Sequence, residues 1–329
     1  MTFTFLETAD VHGNKGQIYV ALKRAEELGL HAVIFGGDIA PKEGNEIDGP
    51  HWIPGHKTRN PEAQARFYKE WMIPTFDEFT SATGIEVYAM MGNDDFIVNM
   101  PILEEADEAG QLRLLHERAH ELPSGIFLVG MSYISPTPFG NKDWEIWDLK
   151  TPSDTDQRNR YDGGIATLDN GSRDVDFSKI PRANSLETYL LETIKPLSDP
   201  RRTIYGFHNP PYDTPADQMK DKEGKVIKIG SRAERAYIER HQPILVSGGH
   251  IHECVRVSGK FEGRIGGTVV VYPGNDPHNR PSENYTSYRR NLKAVVGEVN
   301  GDRINLLRES IDFVPTGNKF RITNIETRK

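Results

Sequence analysis

The chain contains 329 residues, of which 36% are hydrophobic and 27% are charged, and its formal net charge is −8 at pH 7. This balance is typical of a soluble folded protein and argues against disorder. The acidic excess disfavours a nucleic-acid-binding surface, because phosphate backbones bind basic ones. The single cysteine, Cys254, argues against a disulfide framework and a thiolate metal site, and we predict that it is a small core residue.

The first forty residues predict a parallel βαβ unit. Residues 2–9 alternate as a strand does, residues 18–28 carry apolar side chains at helical spacing before Gly29, and residues 31–35 form a second apolar run. Parallel units place binding residues just beyond the carboxyl ends of their strands. The polar residues at these positions are Asp10, His12 and Asp38.

The next stretch predicts an inserted loop, a helix and a third strand. Residues 41–60 are rich in glycine, proline, histidine and charge, which favours a loop. Pro61 is placed to open a helix to about Ser81, and Pro74 is expected to kink or split this helix. The third apolar run, at residues 85–91, leads into Gly92, Asn93, Asp94 and Asp95.

Farther along the chain the periodicity weakens. A short acidic helix at 101–109 and strands near 112–115 and 126–131 precede residues 135–183, where no period is evident. A loop of that length is usually functional, such as a lid, unless secondary structure within it escapes detection.

Two capping boxes and several strands are predicted in the last third of the chain. The first box pairs Asn184 with Glu187 and opens a helix over 185–195, and the second pairs Ser231 with Glu234. Strands are predicted at 202–207, which ends at His208, in the apolar run that starts at Leu245 and precedes His250 and His252, and at 268–272, 291–299 and 304–309.

No repeat, low-complexity tract or sharp linker divides the sequence. We therefore predict an α/β protein with a single domain over residues 1–329 and insertions at about 41–60 and 135–183. Residues 1–6 begin a strand and contain neither a basic leader nor a long apolar segment, so we expect neither secretion nor a membrane span and take the cytoplasm as the compartment.

Polar side chains at five predicted strand ends suggest a metal centre. His250 and His252, two residues apart in an extended chain, point to one side, and paired imidazoles suit a transition metal. Five more donors follow other strands: Asp10, His12, Asp38, Asn93 and His208. Singly, each has a commoner structural explanation, such as a helix cap, a turn or a surface loop. Together they exceed what one ion needs, and they favour two divalent ions, with Asp38 between them, that can clamp a phosphoryl group.

Five motifs follow one another from Asp10 to His252, in the order Asp-x-His, Gly-Asp, Gly-Asn-x-Asp, His and Gly-His-x-His. In the order and content of these motifs the chain resembles the calcineurin-like metallophosphoesterase superfamily. Residues 230–253 look most like its small prokaryotic-type members. The resemblance implies a two-sheet mixed β sandwich flanked by helices. It also implies one ion held by Asp10, His12, Asp38 and His252, and another held by Asp38, Asn93, His208 and His250. Oxygen and imidazole donors accept Mn, Fe, Zn, Ni or Co, so the sequence does not select the metal.

One position departs from the family pattern. Members usually carry a histidine after Gly-Asn, which helps to bind phosphate and to protonate the leaving group, whereas this chain has Asp94. A carboxylate there repels phosphate and donates no proton at neutral pH. We therefore expect esters with good leaving groups to react best, unless Asp94 binds a metal or reaches a basic group from a lid. Asp95 is expected to orient its neighbours.

The resemblance implies a dinuclear metal-dependent phosphoester hydrolase in which a metal-bound hydroxide attacks phosphorus in line. Asn93 is expected to stabilise the equatorial phosphate oxygens with the ions. A small phosphodiester is slightly favoured as substrate, since it carries less charge to be repelled by Asp94. The alternatives are a phosphomonoesterase on nucleotides or phosphoproteins and a non-catalytic scaffold of the same fold. A nuclease is disfavoured by the acidic balance, and the sequence does not give the oligomeric state.

A few other residues are weaker candidates. Asn14 either contacts substrate or belongs to a turn. Four further residues could line a cap over the site, although a solvated or locally packed side chain is the commoner explanation for each: His51, Trp52, His56 and Trp144. Arg289 and Arg290 are candidates for attracting anions, although a solvated strand face is the commoner explanation.

Overall fold

The computed structural model describes residues 2–42, 61–123, 125–152, 163–169, 171–275, 291–300, 303–316 and 319–329. Its strands are β1 (Phe3–Thr8), β2 (Ala32–Gly36), β3 (Glu86–Met90), β4 (Arg113–Leu114), β5 (Ala119–Glu121), β6 (Phe127–Met131), β7 (Gly163–Leu168), β8 (Gly171–Asp176), β9 (Thr203–Phe207), β10 (Gln218–Lys220), β11 (Val226–Lys228), β12 (Leu245–Ser247), β13 (Glu262–Ile265), β14 (Thr268–Val271), β15 (Asn291–Asn300), β16 (Arg303–Thr316) and β17 (Lys319–Arg328). Its α-helices are α1 (Lys15–Leu28), α2 (Pro61–Phe67), α3 (Ile73–Thr83), α4 (Met100–Glu108), α5 (Leu186–Tyr189), α6 (Arg232–His241) and α7 (Cys254–Ser258).

Two large mixed sheets form the body of the protein. The first has the order β17-β16-β15-β1-β2-β3-β4, in which the strands from β1 to β4 are parallel and β15, β16 and β17 are antiparallel. The second has the order β13-β14-β12-β9-β6-β5, with a parallel centre from β14 to β6 and antiparallel edges. In both sheets the carboxyl ends of the parallel strands therefore lie at one edge.

The side chains of β1 and β2 show how the layers pack. Phe3, Phe5 and Ile34 belong to a core that also contains residues from the second sheet, whereas Leu6 and Val33 belong to a core shared with α1 and the helices that follow Pro61. Successive side chains of a strand point to opposite faces, so each of these strands contributes to both cores. The prediction of a two-sheet mixed β sandwich flanked by helices is confirmed.

The first two helices follow the sequence signals closely. Gly29 ends α1 in the left-handed conformation, with φ of 61°, as predicted for a residue without a Cβ. The helix after Pro61 runs through α2 and α3 with a π turn between them, Tyr68–Met72. This turn immediately precedes the helical segment that contains Pro74, and proline has no amide hydrogen to donate to the preceding turn.

Two sequence predictions differ from the structure. Residues 135–183 are not without regular structure, because β7 and β8 form an antiparallel hairpin there. The residues of β8 other than Val175 are glycine or polar, and Val175 is its one buried residue, so the strand carries no apolar alternation. The helix predicted over 185–195 divides into α5, a π turn and a 3-10 turn. Its cap residue is Ser185 and not Asn184, because the Ser185 side chain accepts a hydrogen bond from the Thr188 amide.

Other predictions lie outside the described residues or agree with the structure. Residues 43–60 of the predicted first insertion are not among those described. Ser231 caps α6 through a hydrogen bond from the Glu234 amide, and Cys254 is buried. In the described part of the chain, none of the helices has the length and apolar character that crossing a membrane requires.

Candidate metal centre

The ends of β1 and β2 form the floor of the site. Their pairing continues past both strands, because the Asp10 amide donates to the Gly37 carbonyl at 3.0 Å and the His12 amide to the Asp38 carbonyl at 2.9 Å. The site residues of the two turns are therefore held side by side.

One group of donors combines both sheets. Asp10, His12, Asp38 and His252 each offer a ligand atom, and these atoms lie within 4.8 Å of one another. The Nε2 atoms of His12 and His252 are 3.1 Å apart, and Nε2 of His252 is 3.6 Å from Oδ1 of Asp10. This is the set that the resemblance implies for one ion.

A second group lies on the other side of Asp38. Oδ1 of Asn93 is 3.1 Å from Nε2 of His208 and 2.6 Å from Nδ1 of His250. Oδ2 of Asp38 is 3.6 Å from Nε2 of His208 and 3.8 Å from Nε2 of His12. One carboxylate oxygen thus faces both groups, and the structure brings all seven predicted ligand residues to one place.

The chemistry of these donors fits metal ions. His208 directs Nδ1 toward the Gly36 carbonyl at 2.8 Å, so in the neutral ring Nδ1 donates and the lone pair of Nε2 faces the Asn93 oxygen, which is itself an acceptor. Backbone anchoring of one imidazole nitrogen is the usual way in which proteins orient a histidine ligand. Converging acceptors of this kind are satisfied by a cation.

Backbone strain is concentrated at the same place. Four residues of the site adopt the left-handed conformation, with φ of 55° at Asp10, 43° at His12, 53° at Asp38 and 70° at His250. This conformation costs on the order of 1 kcal/mol for a residue with a Cβ and persists only where the surroundings enforce it. Hydrogen bonds from the His250 amide to Asp10 Oδ1, at 2.9 Å, and from the Asp94 amide to Asp38 Oδ1, at 2.8 Å, supply part of that enforcement.

The protein groups of the site strongly perturb one another. Burial opposes protonation of His208, but the Asp38 and Asp10 carboxylates outweigh burial and raise its pKa to about 9. Burial and the positive charge of His208 lower the pKa of His250 to about 3. Burial also opposes ionisation of Asp10, but His252 and His208 outweigh it and lower the pKa of Asp10. The carboxylates of the cluster therefore stabilise positive charge on His208 but not on His250.

Gly92 leaves space for the shared carboxylate. A Cβ at this position would lie 2.3 Å from Oδ1 of Asp38 and 2.6 Å from Cε1 of His208. Both neighbours are fully buried, so neither has room to withdraw without disturbing the donor groups.

Replacing Gly92 with alanine is therefore expected to weaken metal binding by about tenfold, the lower end of what displaced supporting groups usually cost. The measurement is competition with a chelator of known affinity. Gly267→Ala is the matched control, because the nearest atom to a Cβ there is 3.5 Å away. Equal metal affinity in the two variants would contradict the role assigned to this glycine.

Asp95 and Trp144 lie behind the site. The Asp95 carboxylate accepts hydrogen bonds from the Ile39, Ala40 and Gly92 amides, at 3.1, 2.8 and 2.9 Å, and so ties the ends of β2 and β3 together. Trp144 is buried and donates its indole N–H to the Asp95 carbonyl at 2.8 Å. Its side chain is therefore packed behind the site.

Asp94 forms an ion pair that involves the edge of the first predicted insertion. Its Oδ2 contacts the Lys42 ammonium and is 3.9 Å from Nδ1 of His12. The basic partner considered for Asp94 in the sequence is thus Lys42, four residues after Asp38.

Sequence reasoning missed three residues that support the site. Besides Lys42, these are Gln64, whose side-chain amide donates to the carbonyls of Pro41 and Asp94, and Asn141, whose amide donates to the Asn93 carbonyl at 2.6 Å. Lys42 and Asn141 lie in stretches without a period, and Gln64 is one polar residue of a helix, so no local signal singles them out.

One of the weaker candidates, Asn14, has a structural role. Asn14 caps α1, because its Oδ1 accepts a hydrogen bond from the Gln17 amide at 3.1 Å. The remaining weaker candidates lie outside the described residues, and they are His51, Trp52, His56, Arg289 and Arg290.

Comparisons with known proteins concern the family and the fold of this chain. A family model described as calcineurin-like phosphoesterase matches residues 3–254. One solved structure superposes with a TM-score of 0.56 at 17% identity, covering 93% of this chain and 98% of the other. The protein TT1561 of Thermus thermophilus superposes with a TM-score of 0.53 at 14% identity, with the same coverage.

A dimetal phosphatase from Danio rerio matches less closely, with a TM-score of 0.47 at 13% identity over 99% of this chain and 98% of that one. At such identities the likeness to solved structures concerns the fold alone. The search of curated protein sequences found no match.

Proposed function

Because this chain belongs to the calcineurin-like phosphoesterase family, we propose that it is a dinuclear metal-dependent phosphoester hydrolase that acts on small substrates. The observation that carries the proposal is the position of Asp38, whose Oδ2 faces His12 of one donor group and His208 of the other. A single carboxylate oxygen between two sets of nitrogen and oxygen donors suits a pair of ions that share one ligand.

We assign the ligands as the sequence motifs imply. Asp10, His12, Asp38 and His252 would hold one ion, and Asp38, Asn93, His208 and His250 would hold the other. When bound, two such ions clamp the phosphoryl group, offset its developing charge and lower the pKa of a water so that it acts as nucleophile near neutral pH.

The chain's own residues orient this assembly. The Gly36 carbonyl fixes the ring of His208, the His250 amide fixes the Asp10 carboxylate, and the three amide hydrogen bonds to Asp95 hold the strand ends in register. Preorganised groups of this kind need no rearrangement as charge develops on the phosphate.

The charge at Asp94 bears on the choice between diester and monoester. An isolated carboxylate would disfavour the more highly charged monoester, which is why the sequence favoured a diester. The ion pair with Lys42 offsets that charge and removes the reason for the preference. A phosphomonoesterase is therefore an equal second candidate, since a neutral pair does not disfavour the additional negative charge of a monoester.

The test is hydrolysis of an ester panel by purified protein that has been stripped with a chelator and reconstituted with Mn, Fe, Zn, Ni or Co in turn. The panel contains bis(aryl), mono(aryl) and alkyl phosphates. We expect no turnover after stripping, recovery with at least one metal, and faster reaction of aryl than alkyl esters, because position 94 supplies no proton to a poor leaving group. A positioned general acid is typically worth about a hundredfold to ten-thousandfold.

The panel also separates the alternatives. The ratio of bis(aryl) to mono(aryl) hydrolysis distinguishes the two substrate classes. Undiminished hydrolysis by the stripped protein would contradict metal dependence. Metal binding without turnover of any ester would favour the non-catalytic scaffold.

A further inference from the structure

We propose that Lys42 is the residue that binds the substrate's phosphate group by charge, and that Asp94 positions Lys42 for this task. The inference rests on the proposed function, because it assigns a substrate contact to the same centre. It replaces the view of Asp94 as an anion that faces the phosphate directly.

The contacts of Asp94 place the lysine next to both donor groups. Oδ2 of Asp94 contacts the Lys42 ammonium and lies 3.9 Å from Nδ1 of His12. The backbone amide of Asp94 donates to Oδ1 of Asp38 at 2.8 Å. One residue thus contacts Lys42 with its side chain and the shared carboxylate with its backbone, so the ammonium lies beside the site at which phosphate would bind the ions.

Buried hydrogen bonds hold the two halves of the pair together. The side-chain amide of Gln64, which is fully buried, donates to the Pro41 carbonyl at 3.2 Å and to the Asp94 carbonyl at 2.9 Å. Its carbonyl oxygen accepts from the Phe96 amide at 2.8 Å. Gln64 therefore links the residue before Lys42 to Asp94 itself.

The backbone that leads to Lys42 is restrained from two further directions. The Asp95 carboxylate accepts hydrogen bonds from the amides of Ile39 and Ala40. Gly13, with φ of 73°, packs so closely on Pro41 that a Cβ would lie 2.6 Å from the proline Cβ. Lys42 therefore follows a fixed stretch of backbone, which reduces the entropy lost when its side chain binds a ligand.

Solvent exposure places the pair at the accessible part of the centre. The side chains of Lys42 and Asp94 are 19% and 15% exposed and that of His252 is 17% exposed, whereas those of Asp38 and His208 are 1% and 0% exposed. The ion pair thus lies on the accessible side of the centre, from which a substrate arrives. A lysine ammonium binds phosphate as a point charge, and a partly desolvated site strengthens that attraction.

A purely structural ion pair would behave differently. Exposed ion pairs contribute little to stability. A pair that does not contact the ligand is expected to leave ligand affinity unchanged when it is removed. Lys23, which pairs with Glu27 on α1 at 3.6 Å, is such a lysine and serves as the matched control.

The experiment measures binding of inorganic phosphate to metal-loaded protein by calorimetry, with metal content determined for every variant. We expect Lys42→Met to weaken phosphate binding by about tenfold to a hundredfold, as loss of a hydrogen bond to a charged group usually does. Lys42→Arg should retain affinity within about threefold, since the charge is kept. Lys23→Met should bind like the wild type. Unchanged affinity in Lys42→Met would overturn the proposal, and so would loss of metal, which would show that Lys42 supports the ions instead.

A double-mutant cycle tests the role of Asp94. With Lys42 present, Asp94→Asn should weaken phosphate binding, because the lysine loses its positioning partner. In the Lys42→Met background the same change should strengthen binding, because it removes an unpaired anion. Tighter binding in both backgrounds would show that Asp94 acts only as a repelling charge and would overturn its assigned role.

Failure of the proposed function gives a different result. If the wild type hydrolyses no ester with any metal, the hydrolase assignment is wrong, whereas the phosphate titrations still decide whether Lys42 binds the anion.

Discussion

Replacing Asp38 with asparagine is expected to reduce metal-dependent ester hydrolysis by at least about a thousandfold, which corresponds to roughly 4 kcal/mol of transition-state stabilisation. Asp38 is the residue whose carboxylate faces both donor groups, so its neutral replacement weakens both candidate ion sites at once. Asparagine preserves the shape of the side chain and tolerates the left-handed conformation that Asp38 adopts, with φ of 53°. The backbone should therefore remain in place while the charge is lost.

Thermal unfolding gives a readout for this variant that does not depend on activity. A metal present at about a hundred times its dissociation constant stabilises a folded protein by about 2.7 kcal/mol. The wild type should gain this stability on addition of the activating metal, and Asp38→Asn should gain little. Asp174→Asn, on the exposed face of β8, is the control and should behave like the wild type. Full metal-induced stabilisation in Asp38→Asn would contradict the assignment of Asp38 as the shared ligand.

The strand ends of the site can be predicted from the sequence because two regularities coincide there. Apolar runs reveal the buried parallel strands, and the topology of such sheets places the residues after them along one edge. Asp10, Asp38 and Asn93 follow three neighbouring parallel strands of the first sheet, and His208 and His250 follow two of the second. The structure brings these five residues together, and no knowledge of loop conformation is needed to expect it.

The ion pair of Asp94 with Lys42 cannot be obtained in this way. It depends on the path of the chain after β2. Hydrogen bonds from the Ile39 and Ala40 amides to Asp95, the hydrogen bond from Gln64 to the Pro41 carbonyl and the close contact of Gly13 with Pro41 set that path. None of these has a periodic signature. As a result, the sequence suggests a repelling charge at position 94, whereas the structure has a paired one.

The contacts of the segment around Asn141 cannot be predicted from the sequence either. Its amide reaches the Asn93 carbonyl across 48 positions of sequence. The Asp143 carboxylate accepts a hydrogen bond from the Ile97 amide at 3.0 Å. This bond is a second contact between the segment around Asn141 and the residues that follow β3. Polar contacts between irregular segments depend on three-dimensional placement, so a search for apolar periods identifies the segment only as a long loop.

The last prediction concerns Glu7, a buried carboxyl group that takes no part in the proposed chemistry. Glu7 lies on β1 on the same face as Phe3 and Phe5, which pack in the core between the two sheets, and it is fully buried. Burial raises its pKa from 4.5 to about 8, against the lowering effect of the Ser247 hydroxyl on β12. The folded protein therefore retains a proton on Glu7 at neutral pH, whereas the unfolded chain releases it.

The direction of the pH effect follows from this difference. Below about pH 4.5 both states carry the proton, and Glu7 has no pH-dependent effect on the free energy of unfolding. As the pH rises from about 4.5 to about 8, the unfolded state loses the proton and the folded state does not, so stability falls by about 1.4 kcal/mol per pH unit. Between about pH 5 and about pH 7.5 the loss due to Glu7 is about 3 kcal/mol.

Replacing Glu7 with glutamine is expected to remove this component of the pH dependence. Urea unfolding of the metal-free wild type and variant, at about pH 5 and about pH 7.5, should give a difference in stability between the two proteins that changes by about 3 kcal/mol in favour of the variant at the higher pH. Comparison with the wild type cancels the titration of the histidines and carboxylates of the site, which both proteins share. Glu26→Gln, at an exposed position of α1, should give a profile parallel to that of the wild type. A parallel profile for Glu7→Gln as well would mean that Glu7 is ionised in the folded protein, and that the space between the sheets accommodates its charge.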